Sequence, residues 1–547
     1  MTSLRISRTN PTAQDQLIMD SEGAPESQQE SLISGIGNLS IETAAGHSEV
    51  THQANGVAHS LPDLEESAAP YKVILQTGDV IIEYFDPESD IATQAEARHR
   101  RWRVSSDDLA RNSPYFRALL DPHKFSEGRQ LMQQKMMHQK LLTEETVNTA
   151  SSKNPNAEVR NLPVVILPSK HVASRLGLDA IKLFLEILSF HSFEEEQKCS
   201  FDAELKFSPV SLIARLLELA DAFNSPHVVR ESLKRAGYAY GKGKYQPSKF
   251  DSSLLKLSED RIRQTIFVAR TLDEPVIYRV MTHALLVLGS KTWANGVEPP
   301  VTPTHPWRFL PNGIEEELYF RRQCVLNTIT DLQAYFLRVY GALEDPEPPK
   351  PFVPRQPLAP AINQARPFQC RYGFGNSSAC DAFHLGQMTR FFSLRTKTIF
   401  LGSTLIDPDF TLDSDTDSTP EQAPAPPSDI TAIIASLKQC PDYQIDPNHV
   451  GCGIRRRFLP PLDCIERFVG DGRGLLGIDF HSWTGQEWPF ATPSSWANRT
   501  LPRANVIDIR ISKLSAVHGG SGARLSITSQ EENARLLFTA KKRNWEA

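Results

Sequence analysis

Apolar positions in the first half of the chain follow two spacings, and each spacing predicts a different element. Short apolar or alternating runs at Asp79–Phe85, Arg101–Val104 and Pro163–Leu167 are typical of strands. Residues 178–190 and 212–223 instead repeat large apolar side chains every three or four positions, which predicts amphipathic helices. Short strands among longer helices predict an α+β domain over this stretch.

Serine residues mark where further helices begin. In Ser113-Pro114, Ser208-Pro209 and Ser225-Pro226, a hydroxyl that can cap free amides precedes a proline that suits the first helical position. Ser105 and Asp108 have the spacing of a capping box. We therefore predict a helix directly after each of these serines.

A longer helix is predicted over Ile314–Leu343, where two interpretations compete. Its apolar residues alternate spacings of four and three, as in a coiled coil: Val325, Ile329, Leu332, Phe336, Val339 and Leu343. The pattern covers fewer than the roughly three or four heptads that a coiled coil needs. We favour a helix buried in its own domain and keep the coiled coil as the alternative.

Changes in composition predict the boundaries of the first regions. Residues 1–70 hold ten acids, two bases and no sustained periodicity, which predicts a disordered acidic arm. The α+β domain follows over residues 71–245, with an insertion at about 128–161 that holds a short helix, Arg129–Leu142. Residues 246–343 are predicted to form a helical extension.

Proline and acidic residues predict two interruptions in the second half of the chain. Residues 344–367 contain eight prolines, as in an extended linker. The C-terminal region, 368–547, is predicted to be mixed α/β and interrupted by an acidic loop at 407–429 with seven acids and no base. Its predicted elements are the helices Asp429–Cys440 and Leu459–Val469 and a strand that carries Ile507, Ile509 and Ile511 on one face.

Charge and cysteine content narrow the class of protein. The formal charge is −6, of which the arm carries −8, so the rest of the chain is near neutral and nucleic acid is disfavoured as a partner. Seven scattered cysteines do not form a disulfide pattern and fit reduced thiols in the cytoplasm and/or nucleus. No apolar run approaches the ~18 residues of a membrane span, so we predict no membrane partner.

Short motifs follow one another in a fixed order through the α+β domain. A strand that starts with Asp-Val leads to Leu-Ala-x-x-Ser-x-x-Phe, to Phe-x-Glu and, after the insertion, to Leu-Leu-x-Leu-Ala-Asp-x-Phe. The residues concerned are Asp79, Leu109, Ala110, Ser113, Phe116, Phe125, Glu127, Leu216, Leu217, Ala220, Asp221 and Phe223. This order resembles the BTB/POZ family over about a third of the chain.

The sequence also departs from the usual family pattern. Asp86–Arg100 lengthens the first hairpin loop, Val104 is followed by two serines instead of His-Lys, and the insertion after Glu127 is long. This looser pattern is similar to a filamentous-fungal BTB subgroup. Tyr443–Cys452 resembles C-terminal regions attached to such domains.

The resemblance implies a small sheet covered by helices, and a homodimer formed through the first helix and the N-terminal strand. It implies partner contacts near Leu109, Tyr115, Phe116 and Leu119. The alternative is that Phe116 and Leu119 belong to the core of the domain. Some members bridge substrates to a cullin-type ubiquitin ligase scaffold through a loop at the position of Phe125 and Glu127, although Phe-x-Glu recurs in the family whatever the partner.

Two glycine-rich segments match the residue patterns of catalytic or cofactor-binding motifs. Gly472–Gly477 reads Gly-x-Gly-x-x-Gly, but a predicted helix precedes it and a predicted strand, Ile478–Phe480, follows it. Dinucleotide binding needs the opposite order, so we predict no cofactor. His518–Gly522 resembles an oxyanion-hole loop, yet the chain holds no Gly-x-Ser-x-Gly nucleophile turn. A turn before a predicted strand, Arg524–Thr528, is the favoured interpretation.

Cysteine and histidine residues in the C-terminal region are weak candidates for a metal site. The principal candidates are Cys440, His449, Cys452 and Cys464, and Cys370, Cys380 and His384 could also contribute. Zinc sites usually contain tight pairs of ligands, and the one close pair here is His449 with Cys452. We therefore predict no metal and favour buried free cysteines.

The sequence as a whole predicts a non-catalytic scaffold or adaptor that binds other proteins. No nucleophile–base pair or paired carboxylates can be assigned, so we do not expect an enzyme. A substrate adaptor for a cullin-type ligase and a transcription regulator are the alternatives, although no finger motif or basic recognition helix is apparent. Of the two basic runs, Arg455–Arg457 and Lys541–Arg543, the second is the better candidate for nuclear import, because it is near the terminus and we expect it to be exposed.

Overall fold

A computed structural model describes thirteen stretches of the chain. They are residues 72–85, 99–148, 162–167, 177–242, 247–293, 296–300, 305–342, 369–371, 377–396, 429–485, 488, 527–540 and 543–545. Several predictions lie outside these residues: the acidic arm, the linker, the acidic loop before Asp429, the strand with Ile507 and the His518 turn. All described residues belong to one compact unit, 68–547.

The fold is mixed α+β and mostly helical, with one small mixed sheet. The strands are β1 (Lys72–Val73), β2 (Val80–Phe85), β3 (His99–Val104) and β4 (Val164–Ile166), in the spatial order β1-β3-β2-β4. Ile82 stands opposite Trp102 in the antiparallel β2–β3 pair and opposite Val165 in the parallel β2–β4 pair. Val80, Ile82 and Tyr84 are almost fully buried on one face of β2, and Ile81 and Glu83 on the other face are buried too, so this central strand is covered on both faces.

Helices make up most of the remaining described structure. They are α1 (Ser106–Asn112), α2 (Pro114–Leu119), α3 (Ser126–Asn148), α4 (Leu178–Ser189), α5 (Glu195–Lys206), α6 (Val210–Ala222), α7 (Pro226–Ala236), α8 (Glu259–Leu272), α9 (Pro275–Leu288), α10 (Ile314–Val339), α11 (Ser377–Arg390), α12 (Ile430–Lys438), α13 (Arg455–Val469) and α14 (Ile527–Thr539). One connected hydrophobic core runs from the sheet to residues after α14. None of the described helices has both the length and the apolar character to cross a membrane.

Serine caps begin the first two helices as expected. The Ser105 hydroxyl accepts a hydrogen bond from the amide of Asp108, and the Ser113 hydroxyl accepts one from the amide of Phe116. Ser225 precedes α7, but its hydroxyl lies 2.8 Å from the Ser113 hydroxyl and does not cap its own helix. At Ser208-Pro209 the predicted position was wrong by one residue, because the helix begins at Val210 and the proline flanks it.

Several elements differ from the sequence prediction; among them, α10 ends at Val339 instead of Leu343, and α13 begins at Arg455 instead of Leu459. Helix α3 begins at Ser126 and runs to Asn148, so it is longer than Arg129–Leu142. Residues 478–480 do not form a strand, because Ile478 donates its amide to the Thr282 hydroxyl of α9 and not to another strand. The start of α14 occupies 527–528, where the end of a strand was predicted.

The long helix α10 lies inside the protein, which favours the buried interpretation over the coiled coil. Its stripe of Val325, Ile329, Leu332 and Phe336 is buried in the main core. The same helix also buries charged residues near its start: Glu315, Glu317, Arg321 and Arg322. Buried charges destabilise a protein unless hydrogen bonds and opposite charges surround them, so each of these groups needs a defined partner.

The carboxylate of Glu315 is satisfied by groups from three segments. Its oxygens lie 2.5 and 2.9 Å from the guanidinium of Arg263 on α8, and both side chains are almost fully buried. The indole of Trp293 donates to Glu315 at 2.7 Å, and the amide of Leu310 donates at 3.0 Å. Arg263 also donates to Glu259 and to the Ser290 hydroxyl.

We expect Glu315→Ala to lower the free energy of unfolding by about 3–5 kcal/mol, because Arg263 would remain buried without its main counter-charge. Urea denaturation followed by circular dichroism measures this change. Glu195→Ala is the matched control: Glu195 pairs with Lys198 but is 87% exposed, so its loss should change the free energy by about 1 kcal/mol or less. Equal effects of the two substitutions would contradict the argument.

Candidate functional site

Helices α1 and α2 place the predicted partner-contact residues at different depths. Leu109 and Phe116 are fully buried, and the Phe116 ring stacks on Phe223 with a centroid separation of 5.6 Å. Tyr115 and Leu119 are half-buried and pack against the same core. In the described conformation, Tyr115 and Leu119 can therefore contact a partner directly, whereas Leu109 and Phe116 cannot.

The predicted Phe125–Glu127 segment lies at the start of α3. Phe125 is 47% exposed, and Ser126 and Glu127, the first residues of the helix, are also exposed. The pKa of Tyr115 lies above its usual value, first because the ring is partly buried and second because the charge of Glu127 is near. Tyr115, Phe125 and Glu127 thus form one surface beside the α2–α3 turn.

Further along α3, apolar side chains face solvent beside the outer strand of the sheet. Met132, Met136 and Met137 are exposed, while Leu131 on the other side of the helix is buried. In β4, Val165 points into the core, and Val164 and Ile166 are exposed. The amide of Val164 donates to the Gln134 side chain of α3, so strand and helix are neighbours. We call Phe125, Met132, Met136, Met137, Val164 and Ile166 the α3–β4 surface.

A second feature lies in the C-terminal region, where three cysteines meet. The sulfur atoms of Cys370, Cys380 and Cys452 all lie within 4.8 Å of one another, and all three residues are buried. The Sγ atoms of Cys370 and Cys452 are 4.0 Å apart. Burial and the neighbouring thiols raise the pKa of Cys380 to about 12, so in the absence of a cation this group holds its proton. We call these residues the thiol cluster.

Backbone and side-chain contacts fix the segments that carry the thiol cluster. The Asp381 carboxylate accepts hydrogen bonds from the amides of Gln369 and Cys370, at 3.0 and 3.1 Å. The Tyr340 hydroxyl, just after α10, donates to the carbonyl of Cys452 at 3.2 Å. Arg457 of α13 donates to the Gln369 side chain at 2.7 Å. Four separate segments therefore meet at the cluster.

Two histidines lie near the thiol cluster. His449 is buried, interacts with the Cys370 thiol and has its Nδ1 atom 2.9 Å from Asp446, which is the main reason why its pKa lies above the usual value. His384 is one helical turn after Cys380, and burial lowers its pKa. The ring of His384 packs edge-on against Tyr340. His449 is therefore the histidine in direct contact with a cluster thiol.

The fold places the four principal metal-ligand candidates from the sequence in two separate regions. His449 and Cys452 lie at the thiol cluster, but Cys440 and Cys464 belong to the main core. Cys440 directly follows the end of α12, where Arg455 donates to its carbonyl, and Cys464 lies within α13. Cys370 and Cys380, ranked second in the sequence analysis, complete the cluster. Their separation of nine residues carries no recognisable spacing signal.

The Gly472–Gly477 segment is a tight turn against α9. A Cβ atom at Gly477 would lie 2.0 Å from the carbonyl oxygen of Arg279, so any larger residue would collide with backbone. His283 of α9 bridges the turn: its Nε2 lies 2.8 Å from the carbonyl of Val469, and its Nδ1 accepts from the amide of Leu476. A helix precedes the glycines, as predicted, and these glycines serve packing in the described structure.

The basic runs also have structural contacts. Arg455 donates to the carbonyl of Cys440 after α12, and Arg457 donates to the Gln369 side chain next to the thiol cluster. Arg543, the described residue of the second run, is largely buried and donates to Asp331 and to the carbonyls of Leu537 and Phe538. This residue is therefore not exposed as the sequence analysis supposed, and nuclear import stays a prediction.

Comparison with known proteins adds no independent guide to the function. No family model, curated protein or solved structure matches this chain. The likeness to BTB/POZ domains therefore rests on the residues quoted from the sequence. The function has to be argued from the α3–β4 surface and the thiol cluster.

We expect stability to depend on the protonation of His283. Burial lowers its pKa from the usual 6.5 to about 4. The unfolded chain therefore binds a proton between pH 6.5 and 4 that the folded chain does not, so this stabilisation is complete above pH 6.5 and is lost as the pH falls towards 4. The loss should be about 3 kcal/mol over this window.

The measurement is the free energy of unfolding in urea at several pH values, for the natural chain and for His283→Gln. The variant lacks this titrating group, so its stability should fall less steeply below pH 6.5. Identical slopes for the two chains would show that His283 is not buried in the neutral form.

Proposed function

We propose that this chain is a non-catalytic scaffold or adaptor that binds proteins through a BTB/POZ-like domain at residues 71–245. The partners would include a second copy of the chain, as the family resemblance implies. The α3–β4 surface is the observation that carries the proposal, because it groups six exposed apolar side chains on a neighbouring helix and strand.

Contacts among the motif residues support a BTB/POZ-like arrangement. The Asp79 carboxylate, next to β2, accepts hydrogen bonds from the amide and hydroxyl of Ser106 at the start of α1. The Ser113 hydroxyl donates to the carbonyl of Phe223, and the rings of Phe116 and Phe223 stack. Ser113 and Phe223, which are more than 100 positions apart in the sequence, thus pack together. In addition, β2 and β4 belong to the same sheet.

The distribution of exposed apolar side chains supports a binding role for this domain. Among the described residues, most of the large apolar side chains that face solvent lie within 71–245: Val73, Phe125, Met132, Met136, Met137, Val164, Ile166 and Phe207. Outside this range they are scattered singly, at Val276, Leu394 and Val450. Grouped apolar side chains on a surface mark interaction sites, whereas isolated ones are ordinary.

The chemistry of the α3–β4 surface favours a protein partner. Methionine is flexible and polarisable, so a methionine-rich helix face can adapt to apolar side chains of different shapes. Val164 and Ile166 add a rigid apolar area from the outer strand. A partner helix or loop with apolar side chains would bury all of these groups, and the free energy gained is about 25 cal/mol for each Å² of apolar surface removed from water.

We expect Met132→Glu combined with Met136→Glu to weaken partner binding at least about tenfold, because two carboxylates would lose solvation at the contact. Affinity purification of the full chain with quantitative mass spectrometry identifies the partners, and titration of a purified partner measures the affinity. Val276→Glu on α9 is the control, since Val276 is equally exposed but stands alone. Unchanged affinity in the double variant would contradict the proposed surface.

A cullin-type ligase scaffold is the second candidate partner, and the exposure of Phe125 and Glu127 favours it. An apolar ring beside an acidic side chain at the start of α3 is available for contact. In this case the chain would act as a substrate adaptor. A transcription regulator remains an alternative from the sequence alone.

We expect Phe125→Ala combined with Glu127→Ala to abolish copurification with a cullin if the chain is such an adaptor. Both side chains are exposed, so the variant should keep the stability of the natural chain, which thermal denaturation checks. Met132→Glu with Met136→Glu tests whether a cullin contact extends from Phe125 to the methionines of α3. Absence of any cullin in the purified natural complex would exclude the adaptor role and leave the scaffold proposal in place.

A further inference from the structure

The geometry of the thiol cluster matches the requirements of a bound cation. Thiolates that bind zinc lie about 2.3 Å from the metal in a tetrahedron, which places neighbouring sulfur atoms about 3.8 Å apart. The Sγ atoms of Cys370 and Cys452 are 4.0 Å apart, and Cys380 lies within 4.8 Å of both. Among the described residues, this is the one group of metal-binding side chains that meets this distance.

An imidazole stands beside the thiol of Cys370, just outside the three sulfur atoms that lie within 4.8 Å of one another. His449 interacts with the thiol of Cys370 and precedes Cys452 by three residues, so one turn can present both ligands to one ion. Its Nδ1 atom lies 2.9 Å from the carboxylate of Asp446. Histidines that bind metals usually place one ring nitrogen on a carboxylate, which orients the other nitrogen towards the metal.

We propose that this chain binds a structural zinc ion. The ligands that we assign are Cys370, Cys380, His449 and Cys452. Three thiolates and one imidazole form a closed ligand set of the kind that structural zinc sites use, with no open position for a substrate. Soft sulfur ligands in a tetrahedral arrangement also favour zinc over magnesium or calcium, which prefer oxygen.

The backbone around the ligands is built for this arrangement. Gly451 has a φ of +83°, a conformation that glycine adopts readily between His449 and Cys452. A Cβ atom at Gly453 would lie 2.6 Å from the Asp442 carboxylate, so this turn cannot accept a larger residue without a shift. The Asp381 carboxylate holds the backbone of Cys370, as described above.

The ion would join parts of the chain that are distant in sequence. Cys370 and Cys380 precede the predicted acidic loop, whereas His449 and Cys452 follow it. The carbonyl of Cys452 is bonded to Tyr340, next to α10. A zinc ion would therefore fix the α11 segment to the turn before α13, and its removal would loosen this region without direct contact to the α3–β4 surface.

The test begins with the full chain, purified without chelators. Inductively coupled plasma mass spectrometry should find about one zinc ion per chain. Cys370→Ser, Cys380→Ser and Cys452→Ser should each lose most of the zinc, and so should His449→Ala. Cys440→Ser and Cys464→Ser are matched controls, since both residues are buried cysteines of the same region outside the cluster, and they should retain the zinc.

A second measurement does not depend on whether the variants fold. Zinc is removed from the natural chain by a chelator and replaced by Co²⁺, whose visible absorption reports ligands and geometry. Absorption bands from thiolate-to-cobalt charge transfer, together with the intense visible bands of tetrahedral Co²⁺, would support coordination by three sulfur atoms and one nitrogen atom. A spectrum typical of octahedral oxygen coordination, or absence of zinc and of cobalt binding, would overturn the proposal.

Two rival explanations give distinct results. If Cys370 and Cys452 formed a disulfide, denatured chain would titrate two thiols fewer than its seven cysteines, and reduction would restore them. If the cysteines were only packed together, all seven would titrate but no metal would copurify or bind. Retention of zinc in His449→Ala with loss in His384→Ala would overturn the assignment of His449 as the fourth ligand.

Discussion

The start of α10 imposes the constraint on which the described fold depends, because it buries four charged side chains. Glu315 is satisfied by Arg263 on α8, while Arg321 pairs with Glu317 one turn away and donates to the carbonyls of Leu476 and Gly477. Arg322 donates to two carbonyls at the end of α9. Since an unpaired buried charge is strongly destabilising, these segments must come together around α10 or the helix cannot be buried at all.

This constraint explains why the helical extension and the C-terminal region share one core. The Gly472–Gly477 turn supplies carbonyls to Arg321 and also packs on α9, where His283 links the Leu476 amide of the turn to the Val469 carbonyl at the end of α13. At the other end of α10, Tyr340 reaches the thiol cluster. The same helix therefore carries apolar contacts, buried ion pairs and a link to the cysteines, and a change in one contact should affect the packing of the others.

Local patterns in the sequence were sufficient to predict the helices and strands, but they were not sufficient to predict the candidate functional sites. Short apolar runs located β2 and β4, and the hydroxyls of Ser105 and Ser113 begin helices where expected, because these effects act within a few residues. The meeting of Cys370 and Cys380 with Cys452 depends on how α11, the segment before it and the turn before α13 come together, which spacing along the chain does not encode. Cys440 and Cys464 have equally suitable chemistry, yet their helices direct them into the main core. The domain boundaries and partner contacts stay predictions.

The size of the thiol cluster gives a physical reason for a metal there. It forms a small core of its own, with three cysteines and the half-buried Ile445 separate from the main hydrophobic core. So few apolar groups offset little of the chain entropy lost when several segments are ordered, at about 1–2 kcal/mol for each fixed backbone residue. Structural zinc contributes about 10–16 kcal/mol of apparent binding free energy in zinc-finger peptides, which is enough to order such a region. A site of this kind would stabilise the C-terminal region, while the α3–β4 surface stays available for partners.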